Sequence, residues 1–188
     1  MRWPACATTQ PVTTQPATGR ATRWRSQPRG MLRVRIAAVG RLPARAPESP
    51  LIADYLTRFA QTGRPLGLGP ADIAEVEDRR GGGRATAAAP LSRQIPTGAS
   101  VIALDERGRQ CTSPEFAALL ARLRDDGQSD AVFLIGGADG LDPELRDRAA
   151  HSLSFGAMVW PHMLVRVMLA EQLYRAATIL AGLPYHRA

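Results

Sequence analysis

Two rhythms of apolar and polar positions alternate along this chain. Residues 32–40, LRVRIAAVG, set Leu32, Val34 and Ile36 against Arg33 and Arg35 and stop at Gly40, which is the two-residue period of a strand. Over 48–61 the period lengthens, and Leu51, Ile52, Tyr55, Leu56 and Phe59 fall on one face of a predicted helix. Strands are predicted again at 71–77 (ADIAEVE), 100–106 (SVIALDE) and 130–137 (DAVFLIGG). Between the first two of these, 78–84 (DRRGGGR) reads as a flexible basic loop, and ATAAAPLSRQ as a weak helix broken by Pro90. Ser113 is the expected cap of a helix with Pro114 at its first position, continuing through EFAALLARLRDD. Asp142-Pro143-Glu144 opens a short helix by the same logic. Residues 152–162 (SLSFGAMVWPH) read as short and irregular, and Pro161 opens a long helix through Ala181.

Strand and helix in alternation predict an α/β sandwich with a mostly parallel sheet. Ligands in such sheets bind beyond the carboxyl ends of the strands. Three segments leave those ends: Leu104-Asp105-Glu106, the glycine-rich 136–140, and 152–162. They are expected to converge on one pocket.

Composition changes this picture in one place. Of 188 residues 45% are hydrophobic, enough for a single domain with its own core. The net charge of +7 is uneven: residues 1–30 hold five arginines and no acid, whereas 31–188 hold nineteen arginines against seventeen acids. The body is close to neutral, so charge alone is weak evidence for a nucleic-acid partner. The first thirty residues, rich in Thr, Pro, Gln and Arg, are expected to be a disordered extension, with Met31 the natural start. They have no secretory h-region, and their prolines oppose a transit-peptide helix. Cys6 and Cys111 make no disulfide framework and lie near no other ligand at metal spacing, which fits a reduced cytoplasmic protein without metal. No stretch is long and apolar enough to span a membrane.

The turn FLIGGADGL poses the chemical question. A phosphate-binding loop would need a lysine and a hydroxyl residue after its glycines, and a dinucleotide site would need G-x-G-x-x-G. Neither is present, and Asp139 and Asp142 would repel a polyphosphate. A neutral or cationic ligand fits better; a plain strand-to-helix turn remains the simplest reading of this stretch alone.

The C-terminal third decides between these. LIGGADGL, the run SLSFGAMVWPHMLVRVMLAEQLYRAATILAG and the closing PYHRA occur in this order, and MLRVRIAAVG opens the body. Together they resemble the SPOUT methyltransferases, within them the branch that methylates N3 of a pseudouridine in 23S ribosomal RNA using S-adenosyl-L-methionine. The resemblance covers Met31 to Ala188.

That resemblance implies a three-layer sandwich with a trefoil knot in its C-terminal half, a topology no periodicity predicts. It implies a cofactor held by Leu104, Gly136, Phe155, Gly156, Ala157, Met158, Val159 and Trp160, on the same three segments, with the glycines clearing space for it. It also brings Tyr185, His186 and Arg187 to the active site: His186 or a water as proton acceptor, Arg187 on phosphate or base, Tyr185 stacking or positioning. A homodimer with a shared site, acting on 23S rRNA in the assembled ribosome, is implied as well.

The remaining candidates have simpler readings. His162 is expected to orient the loop before the long helix, and His151 to lie on the surface. Arg166 is expected to brace the site, bind RNA or make an ordinary ion pair. Arg79, Arg80 and Arg84 flank a mobile loop, and Arg107 and Arg109 are stronger RNA candidates. Two other functions stay open: a SPOUT enzyme acting on tRNA or a ribose hydroxyl, and a non-catalytic RNA-binding relative.

Overall fold

The computed structural model describes residues 30–77 and 83–186. The expected N-terminal extension before Gly30, Arg79 and Arg80 of the basic loop, and Arg187 lie outside the described residues. Five strands and five helices alternate. They are β1 (Leu32–Val39), α1 (Glu48–Gly63, followed by a 3-10 turn), β2 (Leu68–Val76), α2 (Gly83–Ser92), β3 (Ser100–Gln110), α3 (Ser113–Asp125), β4 (Asp130–Ile135), α4 (Pro143–Asp147), β5 (His151–Ser154) and α5 (His162–Leu180). The sheet order is β2-β1-β4-β3-β5, and every pairing is parallel.

Alternation along the two inner strands builds two cores. Ile36 and Ala38 of β1 and Phe133 and Ile135 of β4 pack with Phe59 of α1, Leu120 of α3 and Leu169 and Leu173 of α5. Ala37, Val39, Val132 and Leu134 face the other way, against Leu91 of α2 and Leu145 of α4. The result is three layers, as expected for strands buried on both faces. The breadth of the apolar surface on α5 has the same origin, because α1 and α3 flank it while its inner side meets β4.

The structure corrects several expectations. β2 begins at Leu68, ahead of Pro70; it is an edge strand, where a missing N–H costs no ladder bond. Pro90 does not end α2, because it sits near the C-terminus and removes one helical bond at most. Thr112, not Ser113, caps α3: its side chain accepts from Glu115 N while the Glu115 carboxylate accepts from Thr112 N at 2.7 Å, a complete capping box. Ser113 is helical, and its hydroxyl donates to Gln172 of α5 at 2.8 Å. The irregular stretch contains a fifth strand, β5, and His151 at its start is half-buried beside Ile102 rather than a surface histidine. Leu51, placed on the inner face of α1 by its spacing, is half exposed.

Candidate active site

The three loops nominated by strand order do converge. They line a cleft of about 580 Å³ at the carboxyl ends of β3, β4 and β5. The crossover from β3 to β4 runs through α3 on one face of the sheet, and that from β4 to β5 through α4 on the other. The opening between them is where a parallel sheet binds its ligand.

Of the eight residues expected at the cofactor, Leu104, Gly136, Phe155, Gly156, Met158, Val159 and Trp160 line the cleft; Ala157 is exposed and does not. Each wall has a local cause. On β3 the register with β5 jumps, since Leu104 and Arg109 both pair with Leu153, so residues 105–108 leave the ladder. Gly108 lies so close to β5 that a Cβ there would meet the Leu153 backbone at 2.6 Å. After β4 the chain reverses at once: Gly137 and Gly140 form an antiparallel bridge, and Gly140, at φ +79°, donates to Gly137 O at 3.0 Å. A Cβ on Gly136 would stand 2.4 Å from the Gly140 carbonyl carbon. Gly136 is therefore demanded by the turn's own backbone, where the sequence reading assigned the glycines to cofactor space. Past β5, Ser154 Oγ donates to Gly156 O at 2.9 Å and holds the loop that carries Met158, Val159 and Trp160.

The cleft is mixed in character. Leu104, Ile135, Leu153 and Phe155 supply an apolar floor, and Asp105, Glu106 and Asp139 bring carboxylates. Asp105 is mostly buried, accepts from Arg107 N at 2.9 Å, and faces Arg146 across 4.0 Å. Arg84 and Arg107 complete the rim, while Arg109 turns away to Glu115 at 3.1 Å. Arg146 carried no signal in the sequence; only the folding of α4 behind the glycine turn brings it to the cleft. Pro161 and His162 close the wall where α5 begins.

Arg166, one turn further along α5, is fully buried. Its Nη1 donates to Glu75 Oε1 at 3.0 Å, and its Nη2 to the carbonyls of Val39 at 2.7 Å and Gly40 at 2.8 Å. Burial lowers the affinity of this guanidinium for its proton, and the Glu75 carboxylate opposes that shift. Arg166 is thus a brace between α5, β1 and β2.

Behind the cleft, sharing Leu104, Leu153 and Phe155, lies a second cavity of about 310 Å³ lined by Cys111, Phe116, Met168 and Gln172. Burial, with Glu115 nearby, pushes the Cys111 thiol up, so it is no activated nucleophile. No group of three or more His, Cys, Asp or Glu able to hold a metal occurs among the described residues, and no helix there is long and apolar enough to cross a membrane.

Tyr185 and His186, the described residues expected at the active site from the tail, do not line the cleft within one chain. Tyr185 OH donates to Glu171 Oε1 at 3.1 Å, its ring packs on Tyr174 at 4.6 Å, and the Arg175 guanidinium lies 4.8 Å from its centre. Glu171 follows His162 by nine residues, about 13 Å along the helix. Nδ1 of His186 is buried without a hydrogen-bond partner.

The chain has relatives among known proteins. The family model described as "Predicted SPOUT methyltransferase" matches residues 32–186. The chain is similar to the ribosomal RNA large subunit methyltransferase H of Roseobacter denitrificans, with 64% identity over 156 residues, 83% of this chain and 99% of the relative. The proteins of that name from Ruegeria pomeroyi and Paracoccus denitrificans are 63% and 64% identical over the same shares. Among solved structures, a probable methyltransferase from Bordetella pertussis matches 79% of this chain and 95% of its own at 14% identity, with a TM-score of 0.45.

Proposed function

The chain belongs to the SPOUT methyltransferase family, and from that premise we propose that it methylates N3 of a pseudouridine in 23S ribosomal RNA, on the assembled ribosome in the cytoplasm. Relatives at 63–64% identity over nearly their whole length are named large-subunit rRNA methyltransferases, and that identity carries the choice of RNA. The single structural observation behind the chemistry is the cleft itself, at which β3, the glycine turn and the loop after β5 meet.

The residues present fit S-adenosyl-L-methionine. An apolar floor suits an adenine ring, and the carboxylates of Asp105, Glu106 and Asp139 suit a cation rather than a phosphate chain. Leu104, Gly136 and the run from Phe155 to Trp160 would hold it, and when bound it supplies an already activated methyl group. The protein's part is orientation of the acceptor nitrogen and removal of its proton. For N3 to accept that methyl group, its proton would have to leave to a base.

His186 is our choice for that base, with a water as the alternative. Tyr185 positions the base to be methylated, and Arg187, outside the described residues, contacts base or phosphate. In one chain Tyr185 is held on the far half of α5 from the cleft. A composite site therefore needs a second copy whose tail reaches this cleft, which supports a homodimer. Exposed Met158, Val159, Trp160 and Leu164 around the start of α5 provide apolar surface for such a contact. A trefoil knot is the topology expected of this family.

The test is methyl transfer from labelled S-adenosylmethionine to ribosomes from cells lacking the endogenous enzyme, with the product nucleotide mapped by mass spectrometry. One methyl on a large-subunit pseudouridine is expected. Methyl on tRNA or on a ribose overturns the choice of substrate. Cofactor binding without transfer to any RNA overturns the catalytic reading.

A further inference from the structure

Resting on that reading, we propose that the β1–α1 loop, residues 40–47, is a docking element for rRNA phosphates, with Arg41 and Arg45 as its contacts. The backbone of this loop is pinned throughout. Gly40 N donates to Val76 O at 2.8 Å, Gly40 O accepts from Arg166 at 2.8 Å, and Leu42 N donates to Glu75 Oε1 at 2.8 Å. Ala46 N and Ser49 Oγ both donate to Pro43 O, at 2.8 and 2.9 Å.

The two side chains that leave this fixed backbone have no function in the fold. Arg41 and Arg45 are exposed, and neither has a hydrogen-bond or ion-pair partner among the described residues. Other arginines divide: Arg33, Arg35, Arg58 and Arg175 each engage a carboxylate, while the side chains of Arg93 and Arg148 likewise have no partner among the described residues, so it is position that singles out Arg41 and Arg45. Glu75, the acid nearest in the loop's own bonding, is occupied by Arg166 and Leu42 N. Glu48 heads α1, where the helix dipole favours it.

Position supplies the second part of the argument. A Cβ on Gly40 would stand 3.5 Å from His162 Nε2, and His162 lines the cleft. The loop is therefore the cleft's neighbour, at the same carboxyl end of the parallel strands. Inside the cleft the carboxylates of Asp105, Glu106 and Asp139 offset Arg84, Arg107 and Arg146, so the lining has no excess of positive charge to draw phosphate inward. An RNA strand presenting one base to the cleft must carry its phosphates over the rim. Free guanidiniums beside the cleft bind them in forked geometry, at the cost of ordering two side chains but not the backbone that carries them.

The experiment measures binding of the full chain to purified large ribosomal subunits across a salt series, beside methyl transfer and cofactor binding. Arg41→Ala with Arg45→Ala is expected to weaken subunit binding roughly tenfold and to make the slope of log K against log salt shallower by about 1.4, the value for two lost single-strand phosphate contacts. Cofactor affinity should not change, which shows the fold intact, and Arg41→Lys with Arg45→Lys should restore the slope. Arg93→Ala, on the exposed residue just past α2 at the opposite edge, should match wild type. Wild-type affinity and slope in the double alanine variant overturn the proposal and leave the methyltransferase reading standing. Arginine-dependent binding without methyl transfer leaves the docking loop standing and removes the reading of the reaction.

Discussion

Arg166 of α5 and Glu75 of β2 meet at 3.0 Å, with the arginine completely buried and the pair closed over the end of β1. The bond ties the helix that begins at the cleft to the strand at the sheet's opposite edge. Only the arginine half of the pair is buried, since Glu75 reaches solvent, so the desolvation cost of breaking it falls on the guanidinium.

Arg166→Ala leaves the carbonyls of Val39 and Gly40 without their donor and a void under α5, and is expected to lower the unfolding free energy by roughly 2 to 5 kcal/mol, read by urea denaturation. A loss below 1 kcal/mol would show that the brace is dispensable. Glu75→Gln keeps an acceptor for Leu42 N but leaves the buried guanidinium without its countercharge, and should also be clearly destabilising.

Gly136→Ala places a methyl 2.4 Å from the Gly140 carbonyl carbon, so the turn must open. The expected cost is about 1 to 3 kcal/mol, together with loss of measurable cofactor binding by calorimetry. Gly98→Ala is the control: its φ of +79° strains an alanine but nothing lies within 4 Å, so stability falls by about 1 kcal/mol and binding is retained. Equal binding by the two variants would separate the turn from the cofactor.

Trp160 lines the cleft and is 38% exposed. Addition of S-adenosylmethionine should alter its fluorescence, and Trp160→Phe should abolish the response while leaving the emission of Trp3 and Trp24. A response surviving in that variant would place the cofactor elsewhere.

Tyr185 is pushed up to about 12, first by partial burial and then by the hydrogen bond it donates to Glu171. The folded value lies above the ordinary tyrosine value near 10. The tail's docking on α5 thus contributes fully below about pH 10 and is lost as pH rises through 12. Ultraviolet titration should show one of the three tyrosines ionising late. Tyr185→Phe should remove that step, and Glu171→Gln should move it towards the ordinary value. A late-ionising step that survives in Tyr185→Phe, or no such step in the wild type, would contradict the docked tail.

The sequence by itself determined the α/β alternation, the four longer strands, the helix openings at Asp142 and Pro161, and the three loops that meet at the cleft. These are local properties: strand and helix periods and proline positions are written in neighbouring residues. It also carried the family, through motifs spread over the C-terminal third. Tertiary structure alone decided the rest. β5 is four residues long and is a strand only because β3 offers it an edge. The role of Arg166 depends on carbonyls 126 and 127 residues away in sequence. Gly136 reads as ligand clearance in sequence and as backbone clearance in space, since the atom it must avoid belongs to a turn that closes on itself. Tyr185, placed at the active site by resemblance, packs on α5 within its own chain, because Glu171, Tyr174 and Arg175 offer it a hydrogen bond, a ring and a cation at once. Pairings across the chain are settled by which surfaces the fold brings together, and no local pattern records them.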